Sequence, residues 1–341
     1  MKHCRFFSVV VLILFAIPVF CSGNDYNFII FGDTHYSFAE AHDLDALSPR
    51  RKVEVKRNLN FWSKTAGNLF DLAVSTRDAQ TIAVLQAGDL IQGDGKDADA
   101  QTQLITGAIK TFKDKFSDLP FYFTKGNHDI RVGKAQWNTF DTIFPEYLKK
   151  LPGSSDHKKS NCIVDLGRDA IIIFDSFYRP DHQWAIDAIE KMHNKRYIFL
   201  LTHYPMVGTA KYYGYYHPEL QQKIMQRNVI IICGHIHQTG VAGNGRSFTQ
   251  LTASSISAAI APMELRLSDY DTFRKSRKDG KLIAELDRLF PDGMENFTLY
   301  RGAGFVKLQV SQEKITATIF DAVAQKQVAV WQLYPQIKQL N

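Results

Sequence analysis

The chain has 341 residues, 45% of them hydrophobic and 22% charged, with a formal net charge of +6 at pH 7. That apolar content excludes a disordered polymer and allows a large core, as one large domain or two small ones. Setting aside Lys2 and Arg5, which belong to an amino-terminal leader, leaves +6 − 2 = +4, too mild a charge to argue for a specific nucleic-acid partner.

In the leader, Lys2 and Arg5 precede an uncharged apolar stretch over 6–20, followed by the small residues Cys21, Ser22 and Gly23. A basic head, a core shorter than the ~20 residues of a membrane helix, and a small-residue exit predict a secretory signal peptide over 1–23. The expected product is exported, periplasmic or secreted, with no stable transmembrane anchor after signal cleavage. The alternatives are an uncleaved anchor and a lipoprotein processed at Cys21, for which Phe20 is a poor neighbour. The mature chain, 24–341, shows no sustained repeat, low-complexity tract or linker and is expected to form one domain. Cys162 and Cys233 then remain, both in apolar contexts and outside any C-x-x-C pair. They predict either one disulfide or two buried free thiols, and no structural zinc cluster.

Short apolar runs follow in order at 28–31, 82–85, 121–123, 197–201 and 229–233. Each is rich in β-branched or aromatic residues and bounded by Gly, Asp or Pro, which predicts buried strands. Between them, 51–77, 99–115, 181–191 and 218–227 carry apolar residues at helical spacing. In the first of these the apolar set is Val53, Leu59, Phe61, Trp62, Leu69, Leu72 and Val74. Strand and helix thus alternate to about residue 235, the order of βαβ units. Beyond it, 247–251, 304–310, 314–320 and 328–333 read as antiparallel strands, with a charged helical stretch at 265–290 among them. Strands 304–334 are expected to complete a second sheet packed against the first.

Every one of the five early runs is followed within four residues by a side chain that binds metals. They supply Asp33 and His35, Asp89, Asn127 with His128 and Asp129, His203, and His235 with His237. In open α/β sheets ligands gather beyond the carboxyl ends of strands, so these residues should converge. Carboxylate, imidazole and one amide oxygen, without thiolate, suit manganese, iron or zinc. Asp33, His35, Asp89, Asn127, His203, His235 and His237 are too many for one tetrahedral ion. Two divalent metal ions about 3.5–4 Å apart that share a carboxylate would use them all. Such a pair can generate hydroxide at neutral pH and hold the charge that develops on phosphoryl oxygens, which points to phosphoester hydrolysis.

The ordered blocks Asp33-Thr34-His35, Gly88-Asp89, Gly126-Asn127-His128-Asp129, His203 and Gly234-His235-Ile236-His237 resemble the calcineurin-like metallophosphoesterase superfamily. The resemblance implies an α/β fold, a four-layer α/β/β/α sandwich of two packed mixed β-sheets flanked by helices. It further implies that Asp33, His35 and His237 hold one metal, that Asn127, His203 and His235 hold the other, and that Asp89 bridges them. His128 would hydrogen-bond a phosphoryl oxygen or protonate the leaving alkoxide, with Asp129 orienting its imidazole. His35, where purple acid phosphatases use an aromatic ligand in the next block, sets this chain apart from that pattern. Gln92 departs from the acidic residue or asparagine that many members place nearby.

Other residues have plainer readings. His42, His157, His182, His193 and His217 are expected to be structural, and Asp175 either supports the site or caps a turn. The tyrosines 204, 212, 213, 215 and 216 could stack a base or touch lipid, but suit a self-packed loop, and the basic run over 274–281 suits a solvated helix face. The expected function is an exported metal-dependent phosphoesterase acting on a phosphoester small-molecule or lipid substrate, a phosphodiesterase rather than a strict monoesterase. The alternatives are a catalytically silent metal-binding module and a secreted sphingomyelinase-like lipid phosphodiesterase.

Overall fold

The computed structural model describes residues 25–131, 134–177, 179–207, 217–227, 229–255, 294–300 and 302–340. The predicted signal peptide, most of the tyrosine-rich segment and the basic stretch over 265–290 lie outside the described residues. No helix among those described is long and apolar enough to cross a membrane.

The amino-terminal half alternates as the pattern predicts through β1 (Tyr26–Phe31), α1 (Pro49–Lys64), α2 (Ala66–Ser75), β2 (Thr81–Gln86), α3 (Ala98–Lys115) and β3 (Phe121–Phe123), and adds a helix the pattern did not mark, α4 (Lys134–Leu148). A second series follows with β4 (Ser154–Lys158), β5 (Asn161–Asp165), β6 (Ala170–Phe174), α5 (His182–Lys191), β7 (Ile198–Thr202), α6 (Pro218–Arg227) and β8 (Ile230–Cys233). The chain then runs through β9 (Thr239–Gly243), β10 (Thr249–Thr252), β11 (Asn296–Tyr300), β12 (Gly304–Val310), β13 (Ile315–Asp321), β14 (Lys326–Tyr334) and β15 (Lys338–Leu340). Helix starts follow local chemistry: Asp97 accepts a hydrogen bond from the Ala100 amide at 2.7 Å and opens α3, and Asp181 does the same for Trp184 at the start of α5.

Two mixed sheets result, one ordered β15-β14-β13-β12-β1-β2-β3 and the other β11-β9-β10-β8-β7-β6-β5-β4. The core explains why their strands read as unbroken apolar runs. In β6, β7 and β8, Ile171, Ile173, Phe199, Leu201, Ile230 and Ile232 face the space between the sheets. Their alternates Ile172, Phe174, Leu200, Ile231 and Cys233 face α5 and α6, so both faces are dry. On β1, Phe28 meets Phe199 across the sheets with ring centroids 5.5 Å apart, while Phe31 packs outward on Phe70 and Phe112 of α2 and α3. Burying each such side chain contributes about 1.5–3 kcal/mol. The layers are helix, sheet, sheet, helix.

One expectation is corrected. The strands over 304–334 do not form a second sheet; they join the sheet that begins the chain, with β12 antiparallel to β1 in the register Phe28↔Leu308. The reason is edge satisfaction. β2 pairs with one side of β1 in parallel, and the other side would leave a row of buried amides and carbonyls unpaired without β12. The boundary between sheets falls between β3 and β4, and the segment near 250 joins the other sheet as β10, parallel to β8. Cys162 and Cys233 are both buried and free, on opposite faces of that sheet.

Candidate metal centre

Past the end of β1 and β2 the ladder continues into the loops. The amides of Asp33, His35 and Tyr36 reach the carbonyls of Gly88, Asp89 and Leu90 at 3.2, 2.9 and 2.9 Å, which sets the first two sequence blocks side by side. The indole of Trp62 on α1 donates to the carbonyls of Thr34 and His35 at 2.9 and 3.0 Å, fixing the block from outside. Between the sheets, the amide of Ser255, just past β10, donates to Gly32. Close approach is built in: a Cβ on Gly126 would lie 2.3 Å from the Asp89 amide, and one on Gly88, whose φ is +84°, would lie 2.6 Å from His203 Nδ1. Asp33, His35, Asp89, His235 and His237 all have positive φ, a conformation that costs on the order of 1 kcal/mol per non-glycine residue and clusters where side chains must be aimed.

All seven candidate ligands come together. Asp33, His35, Asp89 and His237 offer ligand atoms within 4.8 Å of one another, and Asp89, His203 and His235 form a second such group. Asp89 belongs to both. Its Oδ2 stands 3.7 Å from His35 Nε2 on one side and 3.3 Å from His203 Nε2 on the other, while its Oδ1 accepts from the His128 amide at 2.7 Å. Asn127 Oδ1 lies 3.2 Å from His203 Nε2, completing the second group. His35 Nε2 and His237 Nε2 are 3.2 Å apart. His203 Nδ1 meets the Ala87 carbonyl at 2.8 Å, which places that nitrogen's proton on the backbone and directs Nε2 inward.

The electrostatics fit cations. Burial drives the carboxyl of Asp33 well above its ordinary value, and Asp89 adds to the rise. Burial would raise Asp89 as well, but the imidazoles of His203, His128 and His35 hold it well below the carboxylate range. Although burial opposes it, Asp89 lifts His203 to about 9. Burial pushes His235 down to about 3 and His237 to about 4, and lowers His35 well below the usual value, so these three rings are neutral with lone pairs to give. Asp33 Oδ2 is buried without a hydrogen-bond partner. Two buried carboxyl groups among four imidazoles, three of them neutral, with one carboxyl oxygen orphaned, are a donor set for divalent metal.

Asp129 is placed differently from expectation. Its carboxylate accepts from the amides of Gly126 at 2.7 Å and Ile91 at 3.0 Å and makes no bond to the His128 ring. That ring is oriented instead by the Gln92 carbonyl, 2.9 Å from Nδ1, and by Arg131 Nη1, 2.9 Å from Nε2. The two backbone donors lie nearer to Asp129 because the tight Gly126–Asp129 turn points its carboxylate back into the loop. The departure at Gln92 also resolves: its main-chain oxygen contacts His128, and its side chain bonds Asn58 and Asp94. Of its two expected parts Asp175 takes the turn cap, accepting from the amide of Phe177 at 3.1 Å, and it also pairs with Lys125 at 2.5 Å.

Sequence reasoning missed one wall of the site. Arg50, Glu54, Arg57 and Arg131 line a cleft of about 230 Å³ together with Asp89, Asn127, His128, His235 and His237. Glu54 Oε2 holds Arg131 Nη1 at 2.6 Å. The signal was present in the i, i+4, i+7 spacing of Arg50, Glu54 and Arg57, which sets them on one face of α1. Val53, counted with the apolar side, is instead 68% exposed.

A family model described as calcineurin-like phosphoesterase matches residues 26–239. No curated protein matches the chain in sequence. Among solved structures, the purple acid phosphatase PPD1 from yellow lupin (Lupinus luteus) seeds superposes with a TM-score of 0.58 at 13% identity, over 91% of this chain and 54% of that one. The chain therefore spans about half the length of the lupin protein. PhoD superposes at 0.55 with 10% identity, covering 94% and 72% of the two chains. GAP50, the anchor in the inner membrane complex of Plasmodium, does so at 0.51 with 12% identity, covering 92% and 89%. At such identities the likeness is one of fold.

Proposed function

Because the chain belongs to the calcineurin-like phosphoesterase family, we propose that it is a metal-dependent phosphoester hydrolase whose centre is the pair of ligand groups meeting at Asp89. The observation that carries this is the single Oδ2 of Asp89 between His35 and His203. Asp33, His35 and His237 would hold one divalent ion, and Asn127, His203 and His235 the other. Such ions lower the pKa of bound water and stabilise charge on phosphoryl oxygens. The protein's own parts do the rest. The imidazoles and the bridging carboxylate would fix the ions, and His128, over the same cleft, is the ring that would meet a phosphoryl oxygen or pass a proton to the leaving alkoxide.

We extend the proposal to diesters and to export. For diesters the support is room: the cleft runs from the ligands to Arg50, whose side chain is 85% exposed at the rim, so a second substituent on phosphorus has a way out. For export it is the leader sequence. The competing reading is a silent module, and the fold likeness to a protein described as an anchor keeps it worth testing. Wild type and His128→Ala are compared on bis-p-nitrophenyl phosphate with added manganese. Turnover by wild type alone is expected; equal background turnover by two metal-loaded proteins would remove the hydrolase reading.

A further inference from the structure

The wall of the cleft opposite the ligands carries more positive charge than it neutralises. Arg131 is engaged by Glu54 at 2.6 Å, and Arg50 reaches the same carboxylate at 3.4 Å. Arg51, next in sequence, turns away to Asp94 at 3.1 Å. Arg57 differs from all three. Among the described residues it has no carboxylate partner, and its Nε donates only a 3.4 Å bond to the neutral amide of Asn58. It is half-buried on the cleft wall, and its charge bears on His35 and His237. A guanidinium in that position, with a planar fork of donors and no acid to bind, matches a phosphate better than any neutral group.

Resting on the hydrolase reading for the site beside it, we propose that the cleft takes phosphoesters bearing a second phosphate, and that Arg57 is the side chain that binds it. The scissile phosphoryl group engages the ligand side and His128, while the further phosphate, one bridge away, lies against α1. The same wall selects against a phosphodiester whose other end is a quaternary ammonium, since Arg50, Arg57 and Arg131 would face like charge there. Diphosphate esters are thus the preferred substrate class, and cationic lipid headgroups are disfavoured.

The test is calorimetric titration of the manganese-loaded full chain with methylphosphonate and with methylenediphosphonate, in wild type, Arg57→Gln and Arg57→Lys. Wild type is expected to bind the diphosphonate at least about tenfold more tightly than the monophosphonate, as one charge-assisted hydrogen-bonded pair allows. Arg57→Gln should reduce that ratio about fivefold or more, and Arg57→Lys should recover part of it. Since metal chelation also favours a diphosphonate, the change of ratio on substitution decides. A ratio unchanged in Arg57→Gln overturns the proposal. Because binding is what is read, a chain that turns over no phosphoester yet shows the Arg57-dependent ratio loses the hydrolase reading and keeps this one.

Discussion

Arg131 donates from Nη1 to Nε2 of His128 at 2.9 Å, while Nδ1 of the same ring is satisfied by the Gln92 carbonyl. The ring therefore stands in one orientation, with its cleft-facing nitrogen against a guanidinium that Glu54 holds. Arg131 acts through His128, which makes their effects non-additive. His128→Ala should lower kcat on bis-p-nitrophenyl phosphate about 10²–10⁴-fold, and Arg131→Ala by a smaller factor. The double variant should match His128→Ala within about threefold. Losses that multiply would show that Arg131 works independently.

Asp129 makes a different prediction from the one its place in the sequence block suggests. Its two oxygens satisfy the buried amides of Gly126 and Ile91, the first of which precedes the candidate ligand Asn127. Asp129→Ala strands both donors, at about 1–3 kcal/mol each, and Asp129→Asn, with one carbonyl oxygen, strands one. Denaturant unfolding should rank the chains wild type, Asn, Ala. If Asp129→Ala were as stable as wild type, the carboxylate would not be holding this loop.

The candidate ligand set was legible because each member follows a strand end within four residues, so local sequence carried both element and chemistry. What escaped was information held by pairing partners. Nothing in residues 304–310 states that their neighbour is β1 and not a new sheet; that depends on which edge of β1 remains open once β2 has paired. Asp129 was misread because adjacency to His128 says nothing about the amides brought to it by the turn. The α1 wall was not singled out at all, since Arg and Glu at helical spacing look the same whether they meet water or a cleft. Gln92 escaped for a simpler reason: its main chain, not its side chain, touches the site.

The cysteines give a prediction that is independent of metal. Burial pushes the thiols of Cys162 and Cys233 up to about 12, so at pH 8 about one in ten thousand of either is thiolate. In a chain with Cys4 and Cys21 replaced by Ser, native protein should be inert to Ellman's reagent, and denatured unreduced protein should titrate two thiols. Rapid native labelling would contradict the burial, and no thiols after denaturation would mean a disulfide. The sign of the linkage also follows. Unfolded thiols ionise near 9 while the folded ones stay neutral, so stability from these groups is intact below pH 9 and declines as pH rises toward 12.

Asp89→Asn tests the centre itself. The aspartate places one anionic oxygen between His35 and His203 and anchors its other oxygen on the His128 amide. An asparagine keeps the shape but removes the negative charge, and with one carbonyl oxygen it cannot serve the amide and both ligand groups. A supporting partner of a metal ligand typically changes metal affinity 10–100-fold, so a shared ligand should exceed roughly 100-fold at both positions. Elemental analysis after dialysis should find about two ions per chain in wild type, well under one in Asp89→Asn, and one in His237→Ala, which belongs to a single group. An Asp89→Asn chain that retains one full ion would show that the aspartate serves one position only, and the two groups would then be separate sites rather than a joined pair.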